Sequence, residues 1–314
     1  MQTQPLTLKT AIGTYGHTRA LKDGSIAPQG ITLDHVEVTP IIAAFRRMIR
    51  NEEFDISEMA ISTYICAKAF NKPFTAIPIF PLRSFQHGSI LVNTRSRVSQ
   101  PTDLEGKRVG VRAYTVTGGI WVRGILANEY GVDLSKITWV VPDEEHVQEF
   151  KLPRNVQKVA PETDLKELLL SGDIAAAIGT GPIDSPDVAP LIPNAQDAAI
   201  SFFRRTGVYP INHMVVVKNS VLKDHGWVTT ALFDAFARAK REYLQRLNTA
   251  TDLTPQDENV VKLKGMVGPD PFPYGVAANR ATLSTMIRYN VEQGVIPRRY
   301  EVEELFAPNT LSME

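Results

Sequence analysis

Cysteine is nearly missing from this chain. Cys66 is the only one in 314 residues, so no intrachain disulfide can form. It lies in the apolar run Tyr64-Ile65-Cys66-Ala67 and reads as a buried small hydrophobe. No stretch of about 18 apolar residues occurs, which excludes a transmembrane helix and so a membrane partner. Charge of one sign is lacking too: 34 basic residues face 34 acidic ones, and there is no basic tract. That excludes the electrostatic footprint of a nucleic-acid binder. The six histidines are scattered, with no His-x3-His or His-Glu-x-x-His spacing. Gly118-Gly119 lacks the Lys-Ser/Thr ending of a phosphate loop. No metal and no cofactor is expected, while a metal site assembled from distant His17, His87 and His213 stays open. The segment from Met1 to Gly13 has no basic region, no long apolar core and no small-residue cleavage site. A cytoplasmic location is therefore expected.

Apolar residues make up 43% of the chain and charged residues 22%, the balance of a globular protein whose core needs no staple. At roughly 100–200 residues per domain the length suits two domains. Up to residue 92, strand signals at 6–12, 31–38, 54–56, 74–80 and 89–92 alternate with helix signals at 18–22, 41–50 and a stretch ending near Phe70. Pro40 opens the second helix, and Ser57 or Ser62 is a candidate cap for the third. A new unit begins near Pro101. It predicts a strand ending at Val111, then a helix capped by Thr115 or Thr117 and ended by Gly131. A strand at 137–141, a polar irregular stretch at 147–160, a helix at 164–171, a strand at 174–178 and a Pro-rich loop at 179–193 follow. A strand at 211–217 leads into helices at 227–248 and 279–293. Strands alternating with helices indicate mostly parallel sheets. The expected lobes are residues 1–97 plus 212–314, including the C-terminal helices, and residues 98–211.

The block Asp103-Leu104-Glu105-Gly106-Lys107-Arg108-Val109-Gly110-Val111 resembles an element of type II periplasmic binding proteins, where it opens the second lobe. That resemblance implies an α/β fold of two lobes, each a mostly parallel sheet flanked by helices, with the ligand cleft between them. Further segments are more specific. They are Thr18-Arg19-Ala20-Leu21, Glu53 to Met59, Ala76 to Pro81, Trp121 to Leu126, Tyr209-Pro210-Ile211-Asn212-His213, Asp270 to Gly275, and Glu304-Leu305-Phe306-Ala307. Together they look like the 4,5-dihydroxyphthalate decarboxylase family, a cytoplasmic offshoot of the binding-protein fold. The resemblance implies a lyase of aromatic catabolism and phthalate degradation. It would convert 4,5-dihydroxyphthalate to 3,4-dihydroxybenzoate (protocatechuate) and CO2.

Decarboxylation of an aromatic ring without an electron-sink cofactor sets clear demands. A phenol must push electrons toward the carbon bearing the departing carboxylate. That carbon takes a proton, and CO2 leaves. The site needs an acceptor for the phenol and an acid near the ring carbon. It also needs a cation for the spectator carboxylate, to which bidentate Arg is suited. An Arg gripping the departing carboxylate equally tightly would stabilise the ground state and oppose catalysis.

Loops that follow parallel strands are where ligands bind. The loop after the first strand carries His17 and Arg19; its bland alternative is a solvated turn capped by Thr18. Arg83-Ser84-Phe85-Gln86-His87 pairs a cation with an imidazole suited to proton transfer, or is a wet loop. His213 lies where the chain crosses back and is either a proton donor or a satisfied core histidine. Thr115 and Thr117 precede a long helix whose N–H groups suit an anion, and Ser62-Thr63 offers the same geometry. Asp184 could orient a histidine or act as an acid, or merely form a turn; Glu58 is a weaker candidate of that kind. Phe272 and Tyr274 either line an aromatic pocket or pack beneath the C-terminal segment.

The expected assignment has His87, His213, His17 and Asp184 as catalytic candidates. Arg19, Arg83, Ser62, Thr115 and Thr117 would bind substrate, a small aromatic carboxylate. The alternative is a non-catalytic binding protein for a small carboxylate, used in transport or sensing. A homo-oligomer is the ordinary prior for such an enzyme.

Overall fold

The structure is a computed structural model and describes residues 4–314. Strands and helices alternate from the start: β1 (Leu6–Ala11), α1 (Arg19–Lys22), β2 (Ile31–His35), α2 (Ile42–Asn51), β3 (Ile56–Ala60), α3 (Ile61–Ala69) and β4 (Phe74–Arg83). The chain continues through β5 (Ile90–Asn93), β6 (Arg108–Val111), α4 (Thr117–Tyr130), β7 (Thr138–Val141), β8 (Val156–Lys158), α5 (Leu165–Ser171), β9 (Ala176–Ile178), β10 (Val188–Pro190) and α6 (Ala195–Thr206). It ends with β11 (Ile211–Lys218), α7 (Asn219–Asp224), α8 (Val228–Arg246), α9 (Pro255–Val267) and α10 (Arg280–Glu292).

Two compact units result. The first comprises the chain up to Arg83, then Ile211–Ser284 and Tyr300–Glu314. The second comprises Ser84–Pro210 and Thr285–Arg299. The crossing falls at Ser84 instead of after residue 97, because β5 pairs with β9. The division also cuts α10 between Ser284 and Thr285, so that helix does not belong wholly with the first unit.

In the first unit the sheet order is β2-β1-β3-β11-β4. β1 runs parallel to β2 and β3, while β11 is antiparallel to both β3 and β4. All five residues of β3 are buried, as a central strand covered on both faces requires. α8 shows why these helices form and dock. Its Val228, Leu232, Phe233, Phe236 and Ala239 recur at helical spacing and join Leu8, Ile56, Ile77, Val215 and Val217 in one core. Each large apolar side chain buried there contributes about 1.5–3 kcal/mol.

In the second unit the order is β10-β5-β9-β6-β7-β8. β9, β6, β7 and β8 are parallel; β5 and β10 are antiparallel additions at one edge. Two of these strands lie where irregular chain was expected, β8 within residues 147–160 and β10 within 179–193. Both are three residues long and sit at the sheet edges, too short to show a period in sequence. The expected caps also differ. Ala60 precedes α3 and Val116 precedes α4, neither with a side-chain cap bond. Ser57 lies in β3, Ser62 inside α3, and Thr117 is the first residue of α4.

Candidate functional site

The first unit gathers a cluster of charged and titratable side chains around Glu58. Glu58 sits in the middle of β3 with no exposed surface. In the antiparallel register Glu58 faces Val215 and His213 faces Ala60, so Glu58 and His213 are diagonal neighbours on adjacent strands. His213 Nδ1 lies 2.5 Å from Glu58 Oε1. Irregular pairing of β11 with β4 on both sides of His213 marks a local departure from a plain ladder.

The loop after β1 closes on the same carboxylate. Parallel pairing of Ala11 with Ser57 sets the loop beside Glu58. The Gly13 N–H donates to Oε2 at 2.8 Å, and the Tyr15 hydroxyl donates to Oε1 at 2.7 Å. Gly13 is required for this: a Cβ there would stand 2.8 Å from the Tyr15 ring, which folds back over it. Burial by itself pushes the Glu58 carboxyl up. The bonds and charge of His213, with the Tyr15 and Gly13 donors, outweigh burial and hold it below the ordinary carboxylate range. Glu58 is thus an anion, so the facing Nδ1 of His213 carries the hydrogen and Nε2 remains for other chemistry. Phe45 of α2 meets the His213 ring edge-on at 4.9 Å.

His17 lies beside this pair. It is 3% exposed and stacks on Phe272 at 4.5 Å and on Tyr15 at 5.5 Å. Its ring is bonded to the Pro81 carbonyl, and Nε2 has no partner among the described residues. Burial pulls its pKa from 6.5 down to about 4, despite the nearby charge of Glu58, so His17 is neutral at neutral pH. Lys240 of α8 donates to Asp270 at 2.5 Å and to the Phe272 carbonyl at 2.9 Å, and lies 4.2 Å from the centre of the Tyr274 ring. Burial lowers its pKa, with Asp270 opposing. Arg83, at the end of β4, is buried and donates to Asn279 Oδ1 and to the Pro273 carbonyl. Tyr274 is buried, and burial followed by Asp270 raises its hydroxyl far above the ordinary value.

His213 is bonded to Glu58, His17 feels its charge, and Arg83 acts by charge on Lys240 and Tyr274; Glu58, read from sequence as a weaker candidate, is the residue bonded to both Tyr15 and His213. Tyr15, Lys240 and Asp270 are additions that the sequence reading lacks. The sequence reading ends its strand at Ile56 and so leaves Glu58 outside it; β3 runs from Ile56 to Ala60, and a buried acid in a strand must have partners. Arg19 stands exposed at the start of α1. Ser62 is buried in the first turn of α3.

The second unit holds the remaining candidates. His87 is buried beside Phe202 at 5.4 Å, and burial brings it down to about 4. The Thr115 hydroxyl, assigned to substrate from sequence, donates instead to Glu145, which also takes the Tyr114 and Thr115 N–H groups at 2.5 and 3.0 Å. Thr117 is buried at the start of α4. Asp184 is exposed and makes no hydrogen bond or ion pair among the described residues, so nothing poises it as an acid or as a partner for histidine. Among the described residues no group of three or more His, Cys, Asp or Glu side chains is disposed to hold a metal ion. No described helix is long and apolar enough to cross a membrane.

The fold is that of a periplasmic binding protein. Superposition on the alkanesulfonate-binding protein SsuA from Xanthomonas axonopodis pv. citri gives a TM-score of 0.55 over 97% of this chain and 99% of the other, at 13% identity. A Candida albicans protein described as having the generic periplasmic binding protein fold gives 0.57 over 98% of each chain, at 12% identity. No family model matches the sequence. Individual relatives do. A 4,5-dihydroxyphthalate decarboxylase of Comamonas testosteroni is 32% identical over 98% of both chains. One of Pseudomonas putida is 34% identical over 63% of this chain and 82% of its own. The chain belongs to the 4,5-dihydroxyphthalate decarboxylase family.

Proposed function

We propose that this protein is a carboxy-lyase that converts 4,5-dihydroxyphthalate to 3,4-dihydroxybenzoate and CO2. The observation that carries the proposal is a relationship spanning 98% of the chain to a protein named for that reaction. The alternative of binding without chemistry is not favoured. The buried cluster supports the same conclusion, because a carboxylate held below its ordinary range and bonded to an imidazole is acid–base equipment.

In this proposal His213, with Nδ1–H held by the Glu58 anion, takes a second proton from solvent at Nε2 and delivers it to the ring carbon that bears the departing carboxylate. The carbon–carbon bond then breaks, its electron pair returns to the ring, and CO2 leaves. His17, neutral and with an open Nε2 lone pair, accepts from the phenol. Arg83 supplies fixed positive charge for the spectator carboxylate. The Thr115 hydroxyl, committed to Glu145, and the exposed Asp184 are left out. A cytoplasmic setting belongs to the proposal and is checked by cell fractionation.

The direct test incubates purified protein with 4,5-dihydroxyphthalate and follows CO2 and the catechol product, with and without chelator. Turnover insensitive to chelation is expected. Thermal stabilisation by the substrate with no product would overturn the enzyme assignment. Loss of turnover on chelation would overturn the metal-free one.

A further inference from the structure

We propose that Tyr15 is a positioning residue that acts on His213 through Glu58, setting when the imidazole can move its proton. This rests on the decarboxylase proposal above and adds to it a residue outside the expected site. The geometry is specific. The Tyr15 hydroxyl and His213 Nδ1 share one oxygen, Oε1, at 2.7 and 2.5 Å, while the Gly13 N–H takes Oε2. Two donors on one oxygen compete for its charge, so the strength of the tyrosine bond sets how strongly that oxygen holds the imidazole. Tyr15 is itself held in place: its ring closes over Gly13 and stacks on His17 with 9° between the planes. The Tyr15 N–H donates to Thr18 Oγ1 at 2.8 Å, and Thr18 Oγ1 donates to the Gly13 carbonyl at 2.8 Å. A side chain this constrained, with its hydroxyl spent on a buried carboxylate, is more than wall material.

The groups facing the pair are few. Gly13, Tyr15 and His17 come from the loop after β1, and Glu58 from β3. His213 comes from β11, and α2 adds only the apolar edge contact of Phe45. Tyr274 feels the charge of Glu58, and Lys240 and Asp270 act on His17. Tyr15 is the one side-chain hydroxyl among them bonded to the carboxylate.

The test measures kcat and KM for 4,5-dihydroxyphthalate from about pH 3 to about pH 9 in the full chain. Tyr15→Phe keeps the ring and its stacking but removes a donor to an anion, a bond that favours the ionised carboxylate. Protonation of Glu58 should then begin at higher pH. The acid limb of kcat is expected to move up by about one pH unit, kcat at its plateau to fall about tenfold, and KM to change less than about twofold. Replacement of Tyr15 by 3-fluorotyrosine, a stronger donor, should move the same limb down. Tyr15→Phe on a Glu58→Gln background should cost nothing further, because its route is gone. An unmoved acid limb, an effect on KM alone, or full additivity would overturn the proposal. If Tyr15→Phe fails to fold, the fluorotyrosine arm decides alone. If the wild-type protein does not turn over 4,5-dihydroxyphthalate, the decarboxylase assignment fails separately. The His213 ring nitrogens titrated by NMR in wild type and Tyr15→Phe then decide this proposal, and an identical His213 titration in the two ends it.

Discussion

Two buried glutamates, one in each unit, show how the same side chain serves different ends. Glu58 takes its hydrogen bonds from one backbone N–H and two titratable side chains, Tyr15 and His213. Glu145 takes two backbone N–H groups and a threonine hydroxyl, and feels the charge of fully buried Arg123. Arg123 in turn donates to Gln293 and the Tyr114 carbonyl and lies 4.1 Å from the Tyr114 ring centre. Donors that exchange protons make a carboxylate chemical. Donors that cannot, with a permanent cation behind them, make it a structural pin. Glu145 thus takes the place at the entrance to α4 where sequence alone suggested a ligand's oxygens.

The largest expected effect tests that contrast. Glu58→Gln should lower kcat for decarboxylation about thousandfold, within the usual reach of acid–base groups, on top of the unfolding cost common to a buried, hydrogen-bonded carboxylate. Glu145→Gln should show the unfolding cost alone. It should cost about 2 kcal/mol in urea unfolding and leave kcat within about twofold. Equal losses of activity in the two variants would erase the distinction. Next, Arg123→Ala should cost about 3–5 kcal/mol, because it opens a cavity between Tyr114 and Trp139 and strips a buried anion of its cation. A cost near zero would mean that Glu145 is held by its hydrogen bonds alone.

Two glycines sharpen the comparison further. A Cβ on Gly16 would stand 2.2 Å from the Tyr243 ring, and one on Gly124 would stand 2.0 Å from the Tyr289 ring. Tyr243 cannot easily retreat, since its hydroxyl is bonded to Asp257 at 2.7 Å. Both alanine variants should lose about 2 kcal/mol by overpacking. Only Gly16→Ala should also lower kcat, because it displaces Tyr15 and His17; matched kinetics in the two variants would contradict the site assigned to the first unit.

An effect of comparable size is spread over pH. His17 and His87 are both held near 4, below the ordinary 6.5. The unfolded chain then takes up the proton first. Stability should fall as pH drops from about 6.5 to about 4 and level off below that. His17→Phe should flatten its share of the slope, roughly 2–3 kcal/mol, and His87→Leu should flatten a separate share. Urea titrations at a series of pH values measure both, and an unchanged slope would show that the imidazole in question is not the one responsible.

Much of this architecture is legible in the amino-acid sequence. Turn glycines, helix periods and alternating strands place most elements within a few residues. α6, the six-residue α7 and α9 escape that reading. For α9 the signal is present: Thr254 and Asp257 form a capping box around Pro255, a pattern readable as a helix start. For α6 the residue types Asn194 and Asp197 are a start signal, although Asn194 makes no side-chain cap bond in the structure. In the site, His17, Arg83 and His213 stand out because histidine and arginine announce their chemistry by type. Glu58 is underrated and Tyr15 overlooked because glutamate and tyrosine are common, and their roles come only from what faces them.

The sequence by itself determined the composition of a two-unit α/β chain, the absence of disulfide and membrane helix signals, and the family. Those follow from residue type, period and local similarity, which are properties of short segments. Tertiary structure alone decided which partners each buried acid has. Glu58 and His213 are 155 positions apart, and Glu58 and Tyr15 are 43 apart. Only the pairing of β3 with β1 on one side and β11 on the other brings all three together, and no local pattern encodes that register.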